Sequence, residues 1–157
     1  MRDKLFKAKR MDNGEWVIGN LIYSEDAEEG WEAIIVPTKD SYIYAKNDET
    51  GNLGIEVWYR VDKNTICQYT GLAAYWTAFE NEPQEWDVWE HDLLEVDYKG
   101  KKVIANVKFE GGMFILASNE FIDSYIPLFD VVNMEDDYWI DAEYIGNIFD
   151  NPELLEV

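Results

Sequence analysis

The chain has 157 residues, of which 47% are hydrophobic and 15% aromatic, and 33 Asp and Glu against 13 Lys and Arg give a formal net charge of −20. Such a charge repels phosphate backbones and anionic lipid headgroups, so we expect no direct nucleic acid binding and no membrane association. The apolar content predicts an ordered globule, and a single cysteine without any apolar run of membrane-spanning length predicts a cytoplasmic location.

The first third of the chain has the pattern of short strands separated by turns. Residues 5–9 and 16–23 are predicted strands, and the turn Asp12-Asn13-Gly14 between them is of the kind that Asn-Gly favours in hairpins. Residues 31–36 form the next predicted strand. Pro37 ends it, because proline has no backbone N–H to donate to a strand ladder.

The stretch that follows is less regular and predicts only a small strand, at 42–44. Residues 55–61 then alternate apolar and polar side chains more clearly than any other part of the chain, which predicts one continuous strand. Asp62-Lys63-Asn64 predicts a turn, and residues 65–70 a returning strand. This pair of strands is expected to form a hairpin.

The second half opens with a predicted three-strand meander. Residues 94–98, 103–109 and 113–116 alternate in character, and glycine-containing turns separate them. Residues 118–125 predict a helix of one or two turns, with Ser118 as its N-cap. The pattern of short strands joined by tight turns favours a small barrel or a strongly curled sheet.

Near the end of the chain, residues 144–149 predict a late strand. Asn151 followed by Pro152 has the order of an N-cap and a first helical residue, which predicts a final helical turn. The whole pattern predicts a mainly β protein of the α+β class, built from small curled sheets or an SH3-like barrel with short helices. We expect one domain over 1–157, or two β subdomains at about 1–72 and 90–157.

An aromatic-rich loop at 73–89 would join such subdomains. It contains Trp76, Phe79 and Trp86, more large aromatics than a surface loop normally carries. Since aromatic side chains are enriched at the centres of protein interfaces, we predict that these three dock another protein or a second copy of the chain. The alternative is that the loop folds back over its own domain.

Three short motifs stand out in the chain, an Asp-x-x-Thr-x-x-Gln-Tyr-Thr-Gly-Leu box, a Glu-x-Asp element and a C-terminal Ile-Gly-Asn-Ile box. Their residues are Asp62, Thr65, Gln68, Tyr69, Thr70, Gly71, Leu72, Glu90, Asp92, Leu93, Gly146, Asn147 and Pro152. With these motifs the chain resembles the YopX-like family of small proteins encoded by tailed phages and prophages. His91 stands where the family usually has glycine. The resemblance implies a fold and a phage setting, in the cytoplasm of the host cell, but not a reaction.

These motif residues are interpreted as structural. Asp62 and Thr65 are expected to bond the backbone of their own turn, Gly71 to allow a change of backbone direction, and Tyr69 to enter the core. A partner site shared by the family is the alternative.

No catalytic, metal or cofactor residue is predicted. Cys67 and His91 are the only residues of their types, and nothing else in the sequence supports a nucleophilic dyad. The acidic clusters Glu90, Asp92, Glu95 and Glu135, Asp136, Asp137 could hold a hard cation, but a chain with 33 acids has such clusters as part of a solvated face. We therefore expect a protein that is not an enzyme.

The leading hypothesis is a phage or prophage accessory protein that binds an unidentified host or phage protein and also forms a homo-oligomer. The first alternative is an acidic mimic of nucleic acid that occupies a DNA-binding protein. The second is a carboxylate-metal hydrolase. Salt dependence separates the leading hypothesis from the mimic, because a mimic complex weakens steeply as ionic strength rises.

Overall fold

The computed structural model describes residues 5–47, 49, 51–77, 84–136 and 138–155. Strands dominate these residues, with short 3-10 turns and no long helix, so the predicted mainly β class is confirmed. The sheets are open and do not close into a barrel. The chain divides into two compact units between Gln68 and Tyr69.

The first unit begins with β1 (Phe6–Lys9), β2 (Trp16–Tyr23), β3 (Ala33–Val36), β4 (Ile43–Asn47), β5 (Asn52–Ile55) and β6 (Tyr59–Arg60). A 3-10 turn at Lys63–Thr65 then leads into β7 (Cys67–Trp76). The start of β7 pairs with β1, and the antiparallel order continues through β2 and β3 to β6. Strands β4 and β5 form a separate two-stranded sheet.

The strand predicted over 55–61 is wrong. Strand β5 ends at Ile55 and β6 contains only Tyr59 and Arg60. Between them the hydroxyl of Ser41 donates to the carbonyl of Val57 at 2.6 Å and accepts from its N–H at 3.3 Å. A side chain thus satisfies the backbone groups that a partner strand would have used, and the chain bends although its side chains alternate.

The second unit contains the rest of β7, then β8 (Gln84–Trp89), β9 (Asp92–Tyr98), β10 (Lys101–Glu110), β11 (Met113–Ala117), β12 (Tyr125–Pro127) and β13 (Trp139–Asn147). Two 3-10 turns, at Leu128–Val131 and Pro152–Leu155, complete it. The strand order is β12-β11-β10-β9-β13-β7, and β8 also pairs with β7. The β13–β7 pair is parallel and the other pairs are antiparallel, so the sheet is mixed.

The structure differs from the predicted loop at 73–89. Strand β7 continues to Trp76 and β8 begins at Gln84, and these two residues face each other in the antiparallel ladder. Phe79, the third aromatic of the predicted interaction site, lies outside the described residues. The ends of this segment are therefore part of the sheet of the second unit.

The predicted helix at 118–125 is also wrong. The Ser118 hydroxyl accepts from the N–H of Glu120, and the Ser118 N–H donates to the carbonyl of Ser124 at 3.0 Å. These two bonds close a tight loop, and Ser124 has a φ of +65°, which no α-helix can contain. In contrast, the final helical turn is confirmed at Pro152–Leu155.

Candidate functional site

The first motif box builds a turn in the first unit. The carboxylate of Asp62 accepts from the N–H of Asn64 at 2.9 Å and caps the 3-10 turn. The Thr65 hydroxyl donates to the carbonyl of Asp62 at 2.8 Å and accepts from the N–H of Lys9 at 2.9 Å. Next to this turn, Gln68 faces Phe6 across the β7–β1 ladder. These contacts attach the turn to β1.

The Tyr-Thr-Gly-Leu part of the box shapes an irregularity inside β7. The register with β8 shifts between Tyr69 and Ala73, and Gly71 lies there with a φ of +82°. Thr70 stabilises the shift, since its hydroxyl donates to the carbonyl of Val88 at 2.7 Å and accepts from the N–H of Leu72 at 3.1 Å. The strand therefore continues through Gly71 instead of ending there.

The side chains on both sides of this bulge pack within the second unit. The Tyr69 ring contacts that of Trp89 with centroids 5.1 Å apart. Leu72 packs against the main hydrophobic core of the unit. Both contacts are internal to the second unit.

Asp92 lies at the centre of a buried polar cluster. Its side chain is fully buried, and Oδ2 accepts from the indole Nε1 of Trp86 at 3.0 Å and from the backbone N–H of Trp89 at 2.9 Å. A carboxylate in this position fixes the tight turn between β8 and β9. The Glu-x-Asp element of the sequence is therefore a turn determinant.

The C-terminal motif box forms a second network of backbone bonds. Asn147 is buried, and its Oδ1 accepts from the N–H groups of Phe149 at 3.0 Å and Asp150 at 2.9 Å. Its own N–H donates to the side chain of Asn151 at 3.2 Å. Gly146 precedes it, and a Cβ there would come within 2.5 Å of the Asn151 Oδ1. The box thus places Pro152 at the start of the last 3-10 turn.

Trp76 and Trp86 belong to a three-ring cluster. Trp86 stacks on Tyr144 with centroids 3.9 Å apart, and Trp76 meets Trp86 edge-on at 5.1 Å. All three side chains are half-buried. Burial raises the pKa of the Tyr144 phenol to about 12, with a further contribution from the charge of Asp92. The two tryptophans that sequence reasoning selected for docking are thus brought together by contacts within their own unit.

Cys67 and His91 occupy separate environments. Cys67 is buried in the first unit, where its thiol lies 3.2 Å from the carbonyl of Thr65. His91, in the second unit, has a φ of +70°, in the left-handed region where His is among the enriched residues. Burial lowers the pKa of its imidazole, and the charge of Glu90 opposes that effect.

The predicted acidic clusters do not converge. Within the described residues, no three His, Cys, Asp or Glu side chains are placed to hold one metal ion. Asp92 is fully buried, whereas Glu90 and Glu95 are only half-buried. Asp137 of the other cluster lies outside the described residues, and its neighbour Glu135 is exposed.

The β4–β5 hairpin exposes a group of large apolar side chains that sequence reasoning missed. We call Tyr42, Ile43, Tyr44 and Leu53 the hairpin surface, and their exposed fractions are 68%, 67%, 50% and 58%. A two-stranded hairpin is marginally stable by itself in water, so such exposure is costly unless it serves contacts. A signal was present in the sequence, because residues 41–47 and 51–55 contain no acid in a chain of net charge −20.

Comparison with known families gives one match, to the family described as YopX protein, over residues 5–156. The chain belongs to the YopX family. The match covers nearly the whole chain and includes residues of both units. No curated protein and no solved structure shows significant similarity to this YopX family member. Among the residues that the structure describes, no helix is long and apolar enough to cross a membrane.

Proposed function

We propose that this YopX family member is a phage or prophage accessory protein of the host cytoplasm that acts by protein–protein association and not by catalysis. The observation that carries the proposal is the hairpin surface. Its four large apolar side chains are each at least half exposed. Exposed apolar side chains are typical of interaction sites. Ile43 and Leu53 share one face of the hairpin, because Ile43 pairs with Ile55 and Leu53 pairs with Ala45, whereas Tyr44 lies on the other face.

The first partner we propose is a second copy of the chain. Strands β4 and β5 pair only with each other among the described strands, so each has one edge available for a further strand. Lys46 is the only charged residue within 41–47 and 51–55, and the segment between them adds Asp48 and Glu49. Two copies that carry −20 each meet with the least repulsion at such a surface, and a twofold axis would place identical hairpins edge to edge.

A host or phage protein is the further partner, and Trp76, Phe79 and Trp86 remain the residues proposed to contact it. Trp76 and Trp86 keep part of their rings at the surface of the second unit. Half-buried tryptophans held by neighbouring rings are rigid, so they lose little conformational entropy on binding. No cofactor is proposed.

Self-association is tested by sedimentation velocity over a range of protein concentrations. We expect the wild-type chain to form a dimer that dissociates on dilution, and the double variant Ile43→Ser, Leu53→Ser to remain a monomer. The matched control is Ile122→Ser, because Ile122 is 72% exposed and lies in the second unit. A wild-type chain that is monomeric at every concentration would remove the proposal.

A second candidate function, the nucleic acid mimic, is favoured by the charge of the second unit. Residues 69–157 carry 20 Asp and Glu against four Lys, and no basic residue follows Lys108. A mimic complex with a DNA-binding protein should weaken steeply between 50 and 500 mM salt, on the order of the losses known for DNA itself. An apolar hairpin contact should persist or strengthen over the same range, so the salt series separates the two functions.

A further inference from the structure

One face of the second unit's sheet carries a groove of about 950 Å³. Its floor comes from side chains of β10 and β11, and the last 3-10 turn of the chain forms part of its rim. The apolar part of the floor is Ile104, Ile115 and Ala117. The volume lies at the upper end of the roughly 300–1,000 Å³ usual for ligand sites.

Asn106 on β10 lines this groove and is 9% exposed. Its Oδ1 is buried and makes no hydrogen bond within the described part of the chain. A buried amide oxygen without a donor costs about 1–3 kcal/mol. Ala117 faces Asn106 across the β10–β11 ladder and has no polar group to offer. The amide can rotate to present either its oxygen or its nitrogen, so a group that enters the groove could bond it.

Lys108 follows Asn106 on the same face of β10, at a distance of about 7 Å given roughly 3.4 Å per residue. It is half-buried and makes no ion pair within the described residues. The other groove lysine, Lys102, lies 3.2 Å from Asp97. Lys108 is therefore a cation whose charge is available to a ligand.

The charges around the groove set it apart from the rest of the second unit. All four basic residues of 69–157 lie between Lys99 and Lys108, so the strongly negative unit is least negative along β10. Glu95, Glu110 and Glu120 also line the groove and can accept from N–H groups, and Glu120 is paired with Lys101. The groove thus has an amide, a cation and carboxylates next to its apolar side chains.

We propose that this groove binds an extended peptide segment that carries an acidic residue. The acidic side chain would meet the ammonium of Lys108, and a backbone amide would bond the amide of Asn106. An apolar neighbour two residues along would rest on Ile104 and Ile115, because side chains of an extended strand alternate at about the same 7 Å spacing. The groove face is distinct from the β4–β5 hairpin, so this proposal does not depend on self-association.

The probe is the synthetic peptide acetyl-Leu-Glu-Leu-amide, titrated to about 10 mM into the full-length isotope-labelled protein and followed by NMR. We expect shifts of the amide signals of β10 and β11 and of the Asn106 side chain. The peptide with Gln in place of Glu should bind about tenfold more weakly, as loss of a charge-assisted bond predicts. The Lys108→Met variant should remove that difference, whereas Lys99→Met, a matched control whose ammonium lies over the Tyr98 ring, should retain it.

A second variant separates binding from folding. If Asn106 serves a ligand, Asn106→Leu should lose the peptide shifts while the melting temperature stays the same or rises, because an unbonded buried amide is replaced by an apolar group. A fall of the melting temperature by several degrees would assign Asn106 a purely structural role and overturn the proposal. Absence of shifts with the Glu peptide would overturn it as well. Equal shifts with sodium acetate would show a site for free carboxylates and not for peptides.

Discussion

The two units of the chain differ in the size of their buried apolar clusters. Among the described residues, the first unit has a cluster of four, Ala8, Ala33, Ile35 and Val61, and carries the exposed hairpin surface. The second has a cluster of twelve, with further half-buried aromatics packed against it. Both units expose large apolar side chains, since Ile122, Phe129 and Met134 of the second unit are each more than 70% exposed. The difference therefore lies in the core, and a small core is the weaker source of stability.

The units differ in charge as well. Residues 3–68 carry eight Lys and Arg against 13 Asp and Glu, whereas 69–157 carry four against 20. The second unit can tolerate this imbalance because its core is larger and its acids are mostly solvated. Our proposals accordingly place apolar association in the first unit and charge-dependent recognition in the second.

The largest loss of stability is expected from Asp92→Ala in the second unit. The change removes the acceptor of a half-buried donor, the Trp86 indole, and of a buried one, the Trp89 N–H, and should lower the free energy of unfolding by roughly 3 kcal/mol. Urea denaturation measures the loss. Asp97→Ala on the same strand is the control, because that carboxylate is exposed. Equal stability of wild type and Asp92→Ala would mean that the cost of burying the carboxylate cancels its two bonds.

In the first unit the largest effect should come from Gly19→Ala. A Cβ at Gly19 would lie 2.2 Å from the carbonyl oxygen of Val36, which is backbone of the neighbouring strand and cannot rotate away. We expect a loss of about 2 kcal/mol and faster hydrogen exchange in β2 and β3. Asn20 is the next residue of β2 and is exposed, so Asn20→Ala should change neither the stability nor the hydrogen exchange. Unchanged exchange in Gly19→Ala would show that β3 can shift without cost.

A smaller effect concerns pH and the aromatic cluster. The pKa of Tyr144 is about 12 in the folded chain, above its usual value of 10. A group whose pKa is raised by folding stabilises the fold below its unfolded pKa, and this contribution is lost as pH rises through the folded value. The stability of the wild type should therefore fall between about pH 10 and 12, and the stability of Tyr144→Phe should fall less over the same range. Identical alkaline profiles for the two proteins would show that the phenol remains solvated.

The smallest effect is expected from Lys63→Gln in the first unit. Lys63 lies 2.9 Å from Glu32, and its hydrogen bond lowers the pKa of that carboxyl. A carboxyl whose pKa is lowered by folding stabilises the fold above its unfolded pKa, and this contribution disappears as pH falls through the folded value. Any loss of stability in the variant should therefore appear at neutral pH and vanish in acid. Because Lys63 is exposed, thermal melts at physiological salt should agree within replicate scatter. A clear drop in melting temperature at neutral pH would show that the pair anchors β3.

The sequence by itself determined the elements that depend on close neighbours. The turn at Asp62 and Thr65, the final helical turn at Pro152–Leu155 and the β9–β10 hairpin all form through groups a few residues apart. Their formation depends on residue type and spacing, which a sequence shows directly. Alternation and turn residues also predicted the mainly β class, and the resemblance of the motifs predicted membership of the family.

Only the tertiary structure decided the features that depend on distant residues. The hydrogen bonds of Ser41 with Val57 interrupt the stretch with the clearest alternation. The parallel pairing of β13 with β7 places Trp139 opposite Ala73, so it joins segments about seventy residues apart in the sequence. The Asn106 groove likewise needs four strands, β9 to β12, and the last turn of the chain together. Such contacts depend on which surfaces meet after folding, and periodicity along one strand holds no information about the strand that will lie beside it.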